Sequence, residues 1–128
     1  MLDTNMCIYL MKNQPAQVAD RFAHCYVGEV VMSAITFAEL SYGASVSSDP
    51  KREAKNLSSL IEEIPVMPFD QVAGAAYGSI RLSTRESKKD HLDKLIAAHA
   101  KALSVTLVTN NLKDFDKYPG VLAENWLV

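Results

Sequence analysis

Short apolar and β-branched runs alternate along the chain with segments whose apolar residues recur every three or four positions. Runs of this kind are typical of strands buried on both faces of a sheet. Residues 30–36, 65–69 and 105–109 are predicted as three such strands. Met1 and Leu2 have the same character, so they are predicted to form the stub of a fourth strand.

The segments between these strands are predicted as helices. The clearest pattern forms one apolar stripe at helical spacing, made of Leu92, Leu95, Ile96, His99, Ala100 and Leu103. Residues 54–64, the Ala-rich residues 72–82 and the segment TFAELSYGA are predicted as further helices, and the Ser-rich residues 45–50 as a loop.

Strands that alternate with helices predict an α/β fold, with a central parallel sheet flanked by α-helices on both faces. The chain contains no internal repeat and no linker longer than residues 45–50, so residues 1–128 are interpreted as a single domain. In such sheets, functional sites form at the carboxyl ends of the strands. Candidate residues are therefore expected at that edge.

Composition narrows the class of protein only slightly. The 128 residues are 48% hydrophobic and 22% charged, as expected for one ordinary soluble domain. The net charge of -2 gives no overall basic field, so contact with a nucleic acid would need a local basic patch. Cys7 and Cys25 have no metal-ligand spacing and are expected to be reduced thiols. The opening MLDTNMCIYLMK lacks the pattern of a signal peptide, and no long apolar run is present, which predicts a cytoplasmic protein without a membrane span.

Acidic residues follow the predicted strands closely. Asp3 comes directly after the first strand stub, and Glu39 lies just past residues 30–36, in the expected first turn of the helix TFAELSYGA. Asp114 comes five residues after residue 109, across the polar turn NNLK. These three side chains are expected at the same edge of the sheet. Asp93 opens the helix with the clearest stripe, and periodicity does not decide whether it reaches that edge.

Each acid also has an interpretation that requires no catalysis. Asp3 is suited to cap the helix that follows it, because a side-chain oxygen there accepts backbone N–H groups. Glu39 fits an exposed helix position, and Asp93 fits the positive end of its own helix. Asp114 competes with its neighbour Asp116, and both fit a solvated turn. No acid is decisive when it is taken alone.

Several carboxylates in one cleft would repel each other and favour protonation unless a cation lies between them. An all-oxygen site without His or Cys suits Mg²⁺ or Mn²⁺ better than zinc. Such an ion can activate water and neutralise charge that builds on a phosphoryl oxygen. The acidic residues therefore indicate hydrolysis of a phosphodiester bond.

A series of motifs extends over nearly the whole chain in one order: MLDTN, SAITFAELSYGA, DKLIAAHA, LVTNNLKDFDKYPGV and ENW. Together they resemble the PIN-domain ribonucleases of the VapC type, the toxins of type II VapBC toxin-antitoxin systems. The resemblance implies catalytic, metal-binding acids at Asp3, Glu39, Asp93 and Asp114. It also implies one or two Mg²⁺ or Mn²⁺ ions and cleavage of RNA by metal-activated water.

The resemblance further implies a homodimer and a cognate VapB-type antitoxin, whose tail wraps the toxin and blocks the active site. Relatives with the LVTNN ending look like endonucleases that cut initiator tRNA in the anticodon loop, which makes tRNA the expected substrate. The chain departs from the family before its third acid, where SKKDHLD replaces a Gly-rich turn. Asp93 is preferred to Asp90 there, because it stands three residues before Ile96 as the family spacing requires.

Polar residues beside the acids are expected to orient metal-bound water or phosphate, with helix capping and turn formation as the alternative; they are Thr4, Asn5, Thr109, Asn110 and Asn111. A basic run is expected to contact the RNA backbone, with a solvated helix face as the alternative; it contains Arg81, Arg85, Lys88, Lys89 and Lys94. His99 is expected to face the core. Core or dimer contacts are expected for Tyr9, Phe37, Tyr42 and Trp126.

Other function classes fit less well. An aspartyl phosphatase needs a second Asp two residues after the first, and Asn5 stands there. A dinucleotide-binding domain needs a Gly-rich turn, and DTNMC has no glycine. A receiver domain needs paired acids and a lysine after its last strand, for which only Lys113 is available. The remaining alternative is a catalytically silent PIN-fold module that binds antitoxin or RNA without cutting.

Overall fold

A computed structural model describes residues 1–127. Seven helices and four short strands follow in the order α1 (Thr4–Lys12), α2 (Ala16–Ala23), β1 (Met32–Ser33), α3 (Ala34–Ser45), α4 (Pro50–Glu63), β2 (Val66–Met67), α5 (Gln71–Ser83), α6 (His91–Leu103), β3 (Leu107–Val108), α7 (Leu112–Phe115) and β4 (Ala123–Glu124) in this part of the chain.

The strands form one parallel sheet. β1 pairs with β2, Met32 opposite Val66, and β3 pairs with β4, Leu107 opposite Ala123. Leu2 makes parallel bridges to both Met32 and Val108, so the opening residues lie between the two pairs and join them. The predicted strand stub and the predicted parallel sheet are both confirmed.

Side chains of the sheet alternate between two hydrophobic cores, because successive residues of a strand point to opposite faces. Leu2, Met32 and Val108 pack in one core with residues of α1 to α4. Met1 and Leu107 pack in the other core with Ile80 of α5 and several residues of α6. Helices therefore cover both faces, as the pattern of strands and helices predicts.

The predicted strand over residues 30–36 is too long. The Ser33 hydroxyl oxygen accepts a hydrogen bond from the Ile35 backbone N–H at 3.1 Å, and this cap starts α3 at Ala34. Residues 65–69 and 105–109 likewise shorten to two paired residues each. α2, α7 and β4 were not predicted. α7 and β4 have only four and two residues and so carry no period, whereas the eight residues of α2 have a clear amphipathic period that could have indicated a helix.

Several expectations about single residues are confirmed. Cys7 and Cys25 are free thiols, and burial raises the pKa of Cys7. His99 is 1% exposed, and its Nδ1 lies 2.7 Å from the Ser33 hydroxyl. Trp126 is buried as expected, whereas Tyr42 is 70% exposed, so its core alternative is wrong and its dimer contact stays a prediction. Within residues 1–127, no helix is both long enough and apolar enough to cross a membrane.

Candidate active site

Asp3 lies where the opening strand segment turns into α1. It is the N-cap of that helix, and its Oδ1 accepts the Met6 N–H at 2.9 Å, so the capping interpretation is confirmed. Burial raises the pKa of this carboxyl, and the charge of Glu39 adds to the effect, while hydrogen bonds from Thr109 and Met6 oppose it. Capping therefore fixes the orientation of an acid that also lies beside a second one.

Glu39 lies in the second turn of α3, because the Ser33 cap starts this helix earlier than the sequence indicates. The expected first-turn position is wrong for this reason. The Thr4 hydroxyl donates to Oε1 of Glu39 at 2.7 Å and lies 3.3 Å from the Thr36 hydroxyl. Glu39 is therefore a partly buried side chain that α1 holds in place, and not a freely solvated one.

Asp93 lies in the first turn of α6 and is half-buried. Burial raises the pKa of this carboxyl to about 6, together with the charges of Asp90, Asp3, Glu39 and Asp114. Acids from separate parts of the chain therefore lie near enough to Asp93 for their charges to raise its pKa. Asp90 is exposed and caps α6 only through its backbone position, so Asp93 is the better placed of the two.

Asp114 lies in α7, the short helix that follows β3. The Asn111 side-chain amide donates to its Oδ2 at 2.7 Å, which fixes the carboxylate. Asp116, which follows α7 directly, is exposed to solvent. We use the name acidic edge for the group Asp3, Glu39, Asp93 and Asp114.

The other predicted polar residues divide into two groups. Thr4 and Asn111 donate hydrogen bonds to carboxylates of the acidic edge. The Thr109 hydroxyl and the Asn5 backbone N–H both lower the pKa of Asp3. The Asn110 side chain donates instead to the Tyr9 hydroxyl at 3.1 Å. Asn5 has an exposed side chain.

The donor chemistry of the acidic edge fits a hard divalent cation. Burial raises the pKa of Asp93 most, and the charges of Asp3, Glu39 and Asp114 add to it, so a cation at the acidic edge would offset this repulsion. No three acidic, His or Cys side chains among residues 1–127 stand close enough to enclose an ion by themselves. Mg²⁺ commonly retains several waters and uses one or two carboxylates directly, so water-bridged ligands suit this wider spacing.

Lys94 is not available for RNA, which corrects the prediction made from the basic run. It is fully buried, and its ammonium donates to the carbonyl oxygens of Ser87 at 2.7 Å and Thr84 at 3.3 Å. Its position on α6 turns it toward the end of α5 and away from solvent. The other members of the run, Arg81, Arg85, Lys88 and Lys89, are exposed.

Sequence reasoning missed Tyr118, a buried residue near the acidic edge. Its ring packs edge-on against Phe115 at 5.5 Å, and its hydroxyl has no hydrogen-bond partner among the described residues. Burial raises the pKa of Tyr118 to about 12, and the charges of Asp93, Asp90 and Asp114 contribute. The motif DKYPGV contains this tyrosine, but nothing in its spacing distinguishes a site residue from a core residue.

Comparison with known proteins places this geometry in a family. The PIN domain model matches residues 1–121. The tRNA(fMet)-specific endonuclease VapC of Shigella flexneri is 36% identical, over 98% of this chain and 96% of the relative. Ribonuclease VapC2 of Haemophilus influenzae is 33% identical, over 99% and 97%. The crystal structure of DNA-bound VapBC from Salmonella typhimurium superimposes with a TM-score of 0.90 and 36% identity, covering 98% of this chain and 96% of that one. The chain therefore belongs to the PIN domain family and to its VapC members.

Proposed function

We propose that this protein is the toxin of a toxin-antitoxin pair, an endoribonuclease that requires Mg²⁺ or Mn²⁺ and hydrolyses phosphodiester bonds of tRNA. The observation that carries the proposal is the acidic edge, where the charges of Asp3, Glu39 and Asp114 act on Asp93 near the carboxyl end of a parallel sheet. Burial and mutual repulsion make this arrangement costly for a purely structural role. Membership of a family with members named ribonucleases supports the same activity.

The acidic edge would hold the cation through Asp3, Glu39, Asp93 and Asp114. When bound, the ion supplies activation of water and neutralisation of charge on the phosphoryl oxygens. The chain itself supplies orientation, since hydrogen bonds from Met6, Thr4 and Asn111 fix three of the carboxylates. Groups that are fixed before the substrate arrives need no reorganisation during the reaction.

The relatives support the proposed substrate and partner. The Shigella flexneri relative carries tRNA(fMet) specificity in its name, and we extend a tRNA substrate to this chain. The solved neighbours include VapBC complexes, and we extend a VapB-type antitoxin to this chain in the same way. The homodimer stays a prediction from the family resemblance. A groove of about 450 Å³ runs beside the acidic edge between α1, α3 and α4, from Met11 to Thr4 and Glu39. An antitoxin segment seated there would reach the acids and block them.

The test is cleavage of bacterial tRNA by purified protein freed of antitoxin. We expect discrete fragments with Mg²⁺ or Mn²⁺ that disappear with a chelator. Asp3→Asn and Asp114→Asn should lower the cleavage rate by at least about 100-fold, because the loss of residues that merely support metal ligands already costs 10–100-fold. Asp116→Asn is the matched control in α7's own segment and should cut like the wild type, since its side chain is exposed.

Each result decides between two functions. Fragments that depend on metal, Asp3 and Asp114 but not on Asp116 would establish the nuclease. Intact RNA under every divalent metal, from a folded protein that still binds RNA or antitoxin, would contradict the proposal and favour the silent binding module.

A further inference from the structure

A second polar site lies on the other side of the start of α6. A cavity of about 320 Å³ opens between the end of α5 and the first residue of α6. We call it the basic pocket, and it is lined by Arg81, Arg85, Ser87, Lys88 and His91. No carboxylate lines the cavity, and none within residues 1–127 forms an ion pair with its cationic side chains.

The walls of the basic pocket are fixed by the chain around them. Arg81 donates to the Tyr77 hydroxyl at 3.1 Å and lies over the same ring. The buried Lys94 ammonium binds the Thr84 and Ser87 carbonyls and so holds the connecting segment in shape. An exposed cation on a fixed wall loses less freedom on binding an anion than one on a mobile tail.

Two further features at the basic pocket indicate an anionic ligand. The ring Nδ1 of His91 is buried and has no hydrogen-bond partner in the described part of the chain, which is uncommon for a buried polar atom. The N-cap residue of α6, Asp90, has a left-handed backbone conformation, and its side chain accepts no hydrogen bond from the helix. The first N–H groups of α6 therefore have no side-chain cap and can favour an anion, with Asp93 as the one acid inside that turn.

The basic pocket and the acidic edge share the first turn of α6. His91 and Asp93 are two residues apart, which corresponds to about 3 Å along the axis and roughly 200° around it. One strand of RNA that crosses the start of α6 can therefore meet both sites.

We infer that the basic pocket binds a backbone phosphate of the single-stranded RNA that is cut at the acidic edge, on the opposite side of the first turn of α6. This inference rests on the proposed function. The planar guanidinium groups of Arg81 and Arg85 can each donate two hydrogen bonds to phosphate oxygens, and the ammonium of Lys88 adds a positive charge. Because the pocket contacts phosphate and no base, it contributes to the affinity for RNA and to the position of the strand, but it does not select the RNA sequence.

The test measures RNA binding on the full chain carrying Asp3→Asn, which leaves the RNA intact, in buffer with Mg²⁺. The probe is a short fluorescent single-stranded oligoribonucleotide, titrated at several salt concentrations. Arg81→Gln with Arg85→Gln should weaken binding about tenfold and reduce the slope of log affinity against log salt by about 0.7, the value for one lost phosphate contact. Both arginines are exposed, and Arg81 loses only its surface contact with Tyr77, so the melting temperature should change little.

The matched control is Arg52→Gln with Lys55→Gln, which removes two exposed cations from α4 and should leave the slope unchanged. An unchanged slope in the Arg81 and Arg85 pair, or an equal loss in the control pair, would overturn the phosphate site. Wild-type cleavage of tRNA is measured in parallel. Failure of that cleavage alone contradicts the proposed nuclease, whereas the salt slope of the Asp3→Asn protein still decides for or against the pocket.

Discussion

The two sides of the first turn of α6 differ in how they are built. The acidic edge collects its carboxylates from α1, α3, α6 and α7, and two of them, Asp3 and Asp93, have pKa values raised by burial. The basic pocket takes its cations from one continuous segment, residues 81–91, and its arginines are exposed. The first site exists only when the whole fold has formed, whereas the second needs only the α5–α6 connection.

Because of this difference, the acidic edge costs the folded protein more free energy than the basic pocket does. Burial penalises the charged form of Asp3 and Asp93, so the free protein carries strain that a cation would relieve. Exposed arginines keep their hydration and cost little until RNA binds. Lys94 is the exception in the basic segment, because it is buried and holds the segment together.

The largest effect that would sharpen this comparison is expected at Lys94. Lys94→Met keeps the buried stem but leaves the Thr84 and Ser87 carbonyls without their donor. We expect the free energy of unfolding to fall by about 2 kcal/mol, the cost of lost hydrogen bonds to a charged group. Urea denaturation measures it. Lys89→Met, an exposed neighbour, should change it by less than about 0.5 kcal/mol.

A Lys94→Met protein as stable as the wild type would show that the ammonium does not organise the segment. The same variant also reports on the basic pocket. If the segment loosens as expected, RNA affinity should fall although no exposed cation has been removed.

The sheet and its helices could be predicted from the sequence, because buried strands and amphipathic helices leave strong periodic signals. The helix and strand boundaries could not be predicted, since Ser33 ends β1 and caps α3 inside a run of mainly apolar and β-branched residues. α7 was missed because four residues carry no period. Local hydrogen bonds, which periodicity does not reveal, decided these positions.

The candidate site was predictable to different degrees. Asp3, Glu39 and Asp114 follow strands, and the carboxyl edge of a parallel sheet collects such residues. Asp93 required the resemblance to the family, because its approach to the edge depends on how residues 84–90 fold back. The burial of Lys94 could not be predicted, since the same spacing fits a solvated face until the packing of α5 on α6 is known.

A smaller effect is expected at two neighbouring asparagines. Asn111 fixes the carboxylate of Asp114, whereas Asn110 contacts the Tyr9 hydroxyl. Asn111→Ala should lower the rate of tRNA cleavage about tenfold, in the range for residues that orient metal ligands. Asn110→Ala should leave that rate within about twofold, since its amide bonds no carboxylate. Equal rates for both variants would show that the acidic edge does not depend on the Asn111 hydrogen bond.

The smallest effect concerns the pH dependence of stability without metal. Asp93 has an ordinary pKa of 3.8 that rises to about 6 in the fold, so the folded state binds its proton more tightly than the unfolded state. Its stabilising contribution is complete below pH 4 and is lost as pH rises through about 6. In chelator at pH 7.5, Asp93→Asn should therefore be more stable than the wild type, by on the order of 1 kcal/mol because the side chain is half-exposed.

Thermal unfolding of both proteins at acidic and neutral pH, with and without Mg²⁺, provides the measurement. The two should converge near pH 4, where Asp93 is mostly protonated, and separate above pH 6. Mg²⁺ should then stabilise the wild type more than Asp93→Asn, because the ion binds the folded site and replaces the proton as the partner of the carboxylate. If Asp93→Asn is no more stable than the wild type in chelator, Asp93 does not experience the other acids, and the acidic edge is no more strained than the basic pocket.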